Sequence, residues 1–160
     1  MQSVKIICVG KLKDAFFRDA SDEYMKRLKA FCKAEIIEIP QVNLPDDPSD
    51  AQIDAALEKE AENIIKKIPN GSTVVAMCVE GKLYSSEDVA DILSKAAMSG
   101  NGDITFIIGG SYGLSETVKR KAGIRMSASK MTFPHRLFRV MLLEQIYRGY
   151  KINSGGKYHK

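Results

Sequence analysis

The sequence predicts a single-domain α/β fold with a mostly parallel sheet flanked by helices. Three observations carry that reading. Short β-branched apolar runs alternate with longer segments of helical spacing, the pattern of βαβ units. The chain has 160 residues, which suits one domain of ordinary size. Apolar residues make up 44% of it and charged residues 28%, a balance that excludes general disorder.

The first run, Val4–Gly10, is short, apolar and closed by glycine, and predicts a buried strand. From Asp14 to Phe31, the residues Phe16, Ala20, Tyr24, Leu28 and Phe31 recur every three or four positions and predict a helix. Glu35–Ile39 predicts a second strand, stopped by Pro40. Gln41–Ser49 holds Pro45, Asp46, Asp47 and Pro48 and reads as a loop, with Ser49 or Asp50 able to cap the next helix. Asp50–Ile68 is amphipathic, with Ile53, Leu57, Ile64 and Ile68 on one side, until Pro69-Asn70-Gly71 ends it.

Thr73–Val79 predicts a third strand, apolar enough to be buried on both faces. Ser85-Ser86-Glu87-Asp88 opens a helix reaching about Met98, its early acids suited to the N-terminal dipole. After the turn Ser99–Gly102, Ile104–Ile108 predicts a fourth strand that runs into Gly109-Gly110-Ser111-Tyr112-Gly113. A short helix over Glu116–Lys121, a short strand over Arg125–Ser129 and a long helix from His135 to about Ile152 complete the order. Gly155-Gly156 then frees a tail, Lys157-Tyr158-His159-Lys160, for which a frayed end is the ordinary reading.

No apolar run is long enough to span a bilayer, and the N-terminal one is too short for a signal peptide. Cys8, Cys32 and Cys78 are odd in number and widely spaced. They fit neither a disulfide framework nor a zinc pattern, and point to a reducing cytosol. Charge is divided along the chain. Residues 1–118 hold 13 basic and 19 acidic side chains, whereas residues 119–160 hold 11 basic side chains and one acid, Glu144. A basic stretch of this kind attracts a polyanion such as nucleic acid, is simply a solvated surface, or faces the acidic part of its own fold or of a second subunit.

In parallel sheets ligands bind beyond the carboxyl ends of the strands. Met77–Glu80, Gly109–Gly113 and Ser127–Phe133 are therefore the candidate ligand loops. The glycine-rich loop lacks the spacing of a P-loop or of a dinucleotide fingerprint. It serves either close backbone approach to a ligand or a tight strand-to-helix turn. Gly109-x-Ser111-x-Gly113 also matches a nucleophile elbow, with Ser111 as the nucleophile. Such a triad needs an acid and then a histidine downstream, and with Glu144 only the tail residue His159 comes in that order. In the segment Ser127–His135, Pro134 shapes the loop before the last helix. Met131 and Phe133 there are either core residues or apolar walls for an adenine. Arg139 and Arg148, nine residues apart, point to opposite sides of a helix.

Several segments together resemble the RlmH family of SPOUT-class methyltransferases. They are Val9-Gly10-Lys11-Leu12-Lys13, Val79-Glu80-Gly81-Lys82, Ile107–Leu114, Ser129–His135, Glu144-Gln145-x-Tyr147-Arg148 and the ending Tyr158-His159-Lys160. The resemblance runs from end to end in the same order. It implies one SPOUT domain over residues 1–160 with a C-terminal trefoil knot, a homodimer, and S-adenosylmethionine as cofactor. It also implies methylation of N3 of a pseudouridine in helix 69 of 23S ribosomal RNA, in the large subunit or the assembled ribosome. By matching position, the cofactor contacts are Met77, Gly109, Gly110, Ala128, Ser129, Lys130, Met131, Thr132 and Phe133.

His159 is then the expected base, or the group that positions it, Tyr158 a stacking ring, and Arg148 a stabiliser of the developing anion. Arg139, Arg148 and Lys160 are the expected RNA contacts. The opposed directions of the two arginines leave open which of them faces RNA and which makes a subunit or core contact. No metal, membrane or DNA is expected, and the cytoplasm is the expected location. A serine hydrolase using Ser111 and a non-enzymatic ribosome-binding protein are the alternatives.

Overall fold

The β-branched runs pair as parallel strands, and the amphipathic segments cover both faces of the resulting sheet. The computed structural model describes residues 1–160. Its order is β1 (Ser3–Val9), α1 (Ala15–Leu28), β2 (Lys33–Ile39), α2 (Asp50–Lys67), β3 (Thr73–Leu83), α3 (Ser86–Ala97), β4 (Ile104–Ile108), α4 (Glu116–Lys121), β5 (Ile124–Ser127) and α5 (His135–Asn153). The sheet runs β2-β1-β4-β3-β5, every pair parallel. Alternate residues of each central strand face opposite layers. Val4, Ile6, Cys8, Val75, Phe106 and Ile108 pack with Leu28, Leu93, Leu143 and Ile146 under α1, α3 and α5. Ile7, Val9, Val74, Ala76 and Ile107 pack with Ala61, Ile64 and Val118 under α2 and α4.

The helix starts obey their capping chemistry. Ser49 caps α2 in a capping box with Gln52, and Ser85 does the same for α3 with Asp88. Burial pushes the Cys8 thiol up to about 12 and the Cys32 thiol to about 11, so both act as small apolar core residues. No helix is long and apolar enough to cross a membrane.

Two boundaries differ from the sequence expectation. β3 continues past Val79 to Leu83, and after a register break it pairs Lys82 and Leu83 with Met126 and Ser127 of β5. Its polar residues Glu80-Gly81-Lys82 concealed the extension. Gly81 makes it possible: a Cβ there would sit 2.7 Å from the Met126 carbonyl carbon. β5 ends at Ser127 because the chain turns. Ser127 Oγ donates to the Ser129 carbonyl at 3.0 Å, and Ser129 Oγ accepts from the Met131 N–H at 3.0 Å.

Candidate cofactor cleft and C-terminal tail

The carboxyl ends of β3, β4 and β5 open into a cleft of about 360 Å³, within the usual range for small-molecule sites. Met77, Gly109 and Met126 form its floor, and the loop after β5 supplies Ala128, Ser129, Met131, Thr132 and Phe133 as a wall. The glycine loop is a tight turn and lines the cleft at once. The Gly113 N–H donates to the Gly110 carbonyl at 3.0 Å. A Cβ on Gly109 would stand 2.3 Å from the Gly113 carbonyl oxygen, so the turn itself demands glycine there. At Gly110 an added Cβ meets only the Val9 side chain, at 3.4 Å, and Gln41 beyond it.

Backbone groups supply much of the wall's polarity. Among residues 128–133 only the Met131 N–H is hydrogen-bonded inside the protein, leaving the other amides of the loop open to a ligand. Apolar side chains beside open backbone donors and acceptors are what an adenine ring and its edge require. Lys130 is not part of the wall. Ser111 lines the cleft, but neither histidine is hydrogen-bonded to it.

Sequence reasoning gave no role here to Lys119 or His135, nor to Glu80, although Glu80 lies in the candidate loop Met77–Glu80. Lys119 and Glu80 form an ion pair at the cleft, and the Lys119 ammonium holds the Glu80 carboxyl below its usual range. His135, at the start of α5, also lines the cleft. Burial, with Arg136 and Arg139 nearby, pushes its imidazole down and keeps it neutral at pH 7. The signal for the ion pair was the basic run after Ser115, whose partner lay on a stretch of β3 that reads as loop.

Tyr158 and His159 of the tail are docked on the fold. Tyr158 packs edge-on against Tyr147 with ring centroids 4.9 Å apart, lies 4.7 Å from the Arg148 guanidinium, and donates its hydroxyl to Glu144 at 3.2 Å. His159 lies between Arg148 Nη1, at 3.2 Å, and Glu87 Oε1, at 2.8 Å. Arg148 is itself held by Glu144, with Nη2 to Oε1 at 2.6 Å. The expected loose tail is thus a docked one, because Tyr158 finds an aromatic neighbour and His159 two polar ones. Lys160 is exposed.

Arg139 is not an RNA-facing residue in this fold. It is 4% exposed. Its Nη1 donates to Glu38 at 2.8 Å and its Nη2 to the Gly10 carbonyl at 3.0 Å. The half-turn offset along α5 sends Arg139 toward β1 and β2 and Arg148 toward the tail. The structure brings the cofactor residues together, and the tail residues together, but not the two groups. Phe138, at the cleft, and Arg148, at the tail, are ten residues apart on α5, a separation of about 15 Å along its axis.

Residues 2–159 match the family model described as "Predicted SPOUT methyltransferase". The chain belongs to the SPOUT methyltransferase family. Two relatives, each called "Ribosomal RNA large subunit methyltransferase H", align over nearly their whole length. The protein of Clostridium botulinum is 48% identical over 158 residues, 99% of this chain and 99% of its own. That of Streptococcus equi subsp. zooepidemicus is 45% identical over 157 residues, 98% of this chain and 99% of its own. A solved structure, a probable methylase family protein from Haemophilus influenzae, shares the fold with a TM-score of 0.55 at 14% identity, over 98% of this chain and 70% of its own. The resemblance read from the sequence is borne out, and S-adenosylmethionine is the methyl donor of this SPOUT chain.

Proposed function

We propose that the protein methylates N3 of a pseudouridine in helix 69 of 23S ribosomal RNA. The observation that carries this is the cleft: every matched cofactor position except Lys130 lines it, in a chain whose full-length relatives bear the name of a large-subunit RNA methyltransferase. Bound S-adenosylmethionine supplies an electrophilic methyl on a sulfonium. Met77, Gly109, Gly110, Ala128, Ser129, Met131, Thr132 and Phe133 would hold it, with the open backbone of the loop reading the adenine edge. Neutral His135 and the Glu80–Lys119 pair border the same space, so the cleft holds no uncompensated charge beside the cofactor.

Transfer requires loss of the N3 proton as the N–C bond forms and the S–C bond breaks. His159 is the proposed acceptor or its positioner, Arg148 stabilises the developing imide anion, and Tyr158 stacks on a base. In the docked arrangement the separation along α5 keeps these residues away from the cleft of their own protomer. We therefore assign a symmetric dimer in which the tail of one protomer serves the cleft of its partner. Lys160, at the end of that tail, reaches phosphate. The proposed partners are 23S RNA in the large subunit or ribosome and a second copy of this chain, in the cytoplasm.

The test is transfer of labelled methyl from S-adenosylmethionine to purified large subunits and ribosomes lacking the modification, with the product nucleoside identified. Methylated pseudouridine in 23S RNA is the expected result, and absence of transfer overturns the reading. A serine hydrolase is disfavoured because Ser111 has no histidine partner to take its proton.

A further inference from the structure

We propose that the connection between β1 and α1 is an RNA-docking surface, with Phe16 stacking on an unpaired base and Lys11 and Lys13 on the flanking phosphates. The proposal rests on the function assigned above and adds a surface outside the cleft and the tail. Neither of those uses the segment Val9–Lys13.

The local structure fixes the two lysines in place. Leu12 is 8% exposed and anchors the loop in the core, so its neighbours Lys11 and Lys13 both lie exposed at the surface. Arg18 reaches back from the first turn of α1. Its Nη1 donates to the Lys13 carbonyl at 2.6 Å and to the Leu12 carbonyl at 3.2 Å. The loop is therefore shaped before any partner arrives, which lowers the ordering cost of binding. Neither lysine takes part in an ion pair. Asp14, the acid between the lysines and α1, is instead paired with Arg136 at 3.5 Å.

Phe16 follows Lys13 by three residues, in the first turn of α1, and is 66% exposed. Its ring is braced by Phe17, with centroids 4.4 Å apart. A lone exposed apolar side chain needs no explanation. A braced aromatic just after two unpaired lysines on a stapled loop is the arrangement that binds single-stranded nucleic acid, a ring for the base and cations for the backbone.

Location adds the third argument. The segment leaves β1 at its carboxyl end, the edge of the sheet on which the cleft opens. Val9 touches the position that a Cβ on Gly110 would occupy, and Arg139 and Arg136 of α5 bind Gly10 and Asp14. RNA whose target base is at the cleft has its neighbouring nucleotides within range of this surface. Charge favours RNA over a protein partner. Lys11 and Lys13 carry no ion pair, whereas the nearest acid, Asp14, is neutralised by Arg136, and Glu23 of α1 by Arg27.

The experiment uses the full-length protein and ribosomal substrate lacking the modification. Phe16→Ala is expected to raise KM for that substrate about tenfold, the loss of one stacked base, with kcat and S-adenosylmethionine affinity held within about twofold. Phe16→Trp should restore KM, and Phe16→Leu, which keeps apolar area without a π face, should not. Lys11→Ala with Lys13→Ala should reduce the slope of log affinity against log salt by about 1.4 to 1.8, two phosphate contacts. An unchanged KM in Phe16→Ala, or restoration by Leu as complete as by Trp, overturns the proposal. So does a shift in oligomeric state on sedimentation, which would make Phe16 a contact between copies. Absence of transfer by the unaltered protein removes the functional reading and this surface with it; normal transfer by every variant removes the surface alone.

Discussion

His159 Nδ1 lies 3.2 Å from Arg148 Nη1, and this contact fixes the histidine tautomer. A guanidinium only donates, so Nδ1 accepts and the hydrogen of the neutral ring sits on Nε2, which donates to Glu87 Oε1 at 2.8 Å. Both ring nitrogens are engaged, and the docked imidazole has no lone pair left for a substrate proton. If His159 is the base proposed above, the docked tail is a resting arrangement and the ring must leave Arg148 or Glu87 to take a proton.

Deleting residues 157–160 is therefore expected to spare the cofactor and stop the chemistry. S-adenosylmethionine affinity by calorimetry should stay within about twofold, because no tail residue is among the matched cofactor positions or lines the cleft. Methyl transfer should collapse, and His159→Ala should cost ~10²–10⁴-fold, the usual loss for a general base. Transfer at the normal rate by the truncated protein would place the base elsewhere.

Arg139 is expected to matter for stability. Removing a guanidinium that is 4% exposed strands the Gly10 carbonyl and the Glu38 carboxylate. Glu38 is 37% exposed, so water recovers part of the loss. Arg139→Met should lower unfolding free energy by about 2–3 kcal/mol in a denaturant titration, below the full cost of breaking a wholly buried pair. Ribosome affinity, measured where the variant remains folded, should not change. A variant of normal stability that binds ribosomes poorly would restore Arg139 to the RNA surface.

Most of the fold was legible because period-2 and helical spacing report burial directly, and each strand and helix falls within a few residues of its pattern. What stayed hidden depends on contacts between distant segments. Glu80–Leu83 reads as polar loop, yet it is strand because Gly81 lets its backbone cross β5. The tail reads as frayed, yet Tyr147, Arg148 and Glu87 hold it. At the cleft, the loops Met77–Glu80, Gly109–Gly113 and Ser127–Phe133 could be located from strand ends alone, whereas the pairing of Lys119 with Glu80, and the neutral state of His135, emerge only from packing.

The two glycines at the end of β4 should respond differently to substitution. Gly109→Ala forces a methyl to within 2.3 Å of a carbonyl oxygen in its own turn, so the loop must move. Gly110→Ala places the methyl 3.4 Å from a Val9 methyl, a contact that a side chain can yield to. Gly109→Ala is expected to weaken S-adenosylmethionine binding by about 5- to 150-fold, equivalent to the ~1–3 kcal/mol of an overpacked site. Gly110→Ala should cost a few-fold at most by the same reasoning, while the branched Gly110→Val presses on Val9 and Gln41 and should weaken binding more. Equal effects of the two alanines, read by calorimetry, would contradict this account of the turn.

His135 gives the fold a pH dependence of definite sign. Burial, then Arg136 and Arg139, holds its imidazole below the ordinary 6.5 of an exposed histidine. In the unfolded chain that histidine takes up its proton near 6.5, while the folded chain resists. The unfolded state therefore binds more protons below that pH. The stability that His135 contributes is complete above about 6.5 and falls away as the pH drops toward the folded value. Denaturation midpoints measured from pH 7.5 to pH 5 should decline in the unaltered protein. In His135→Gln, which keeps a polar side chain of similar reach and cannot charge, that decline should be shallower. Parallel profiles would show that the imidazole titrates alike in both states, and would remove the neutral ring from the description of the cleft.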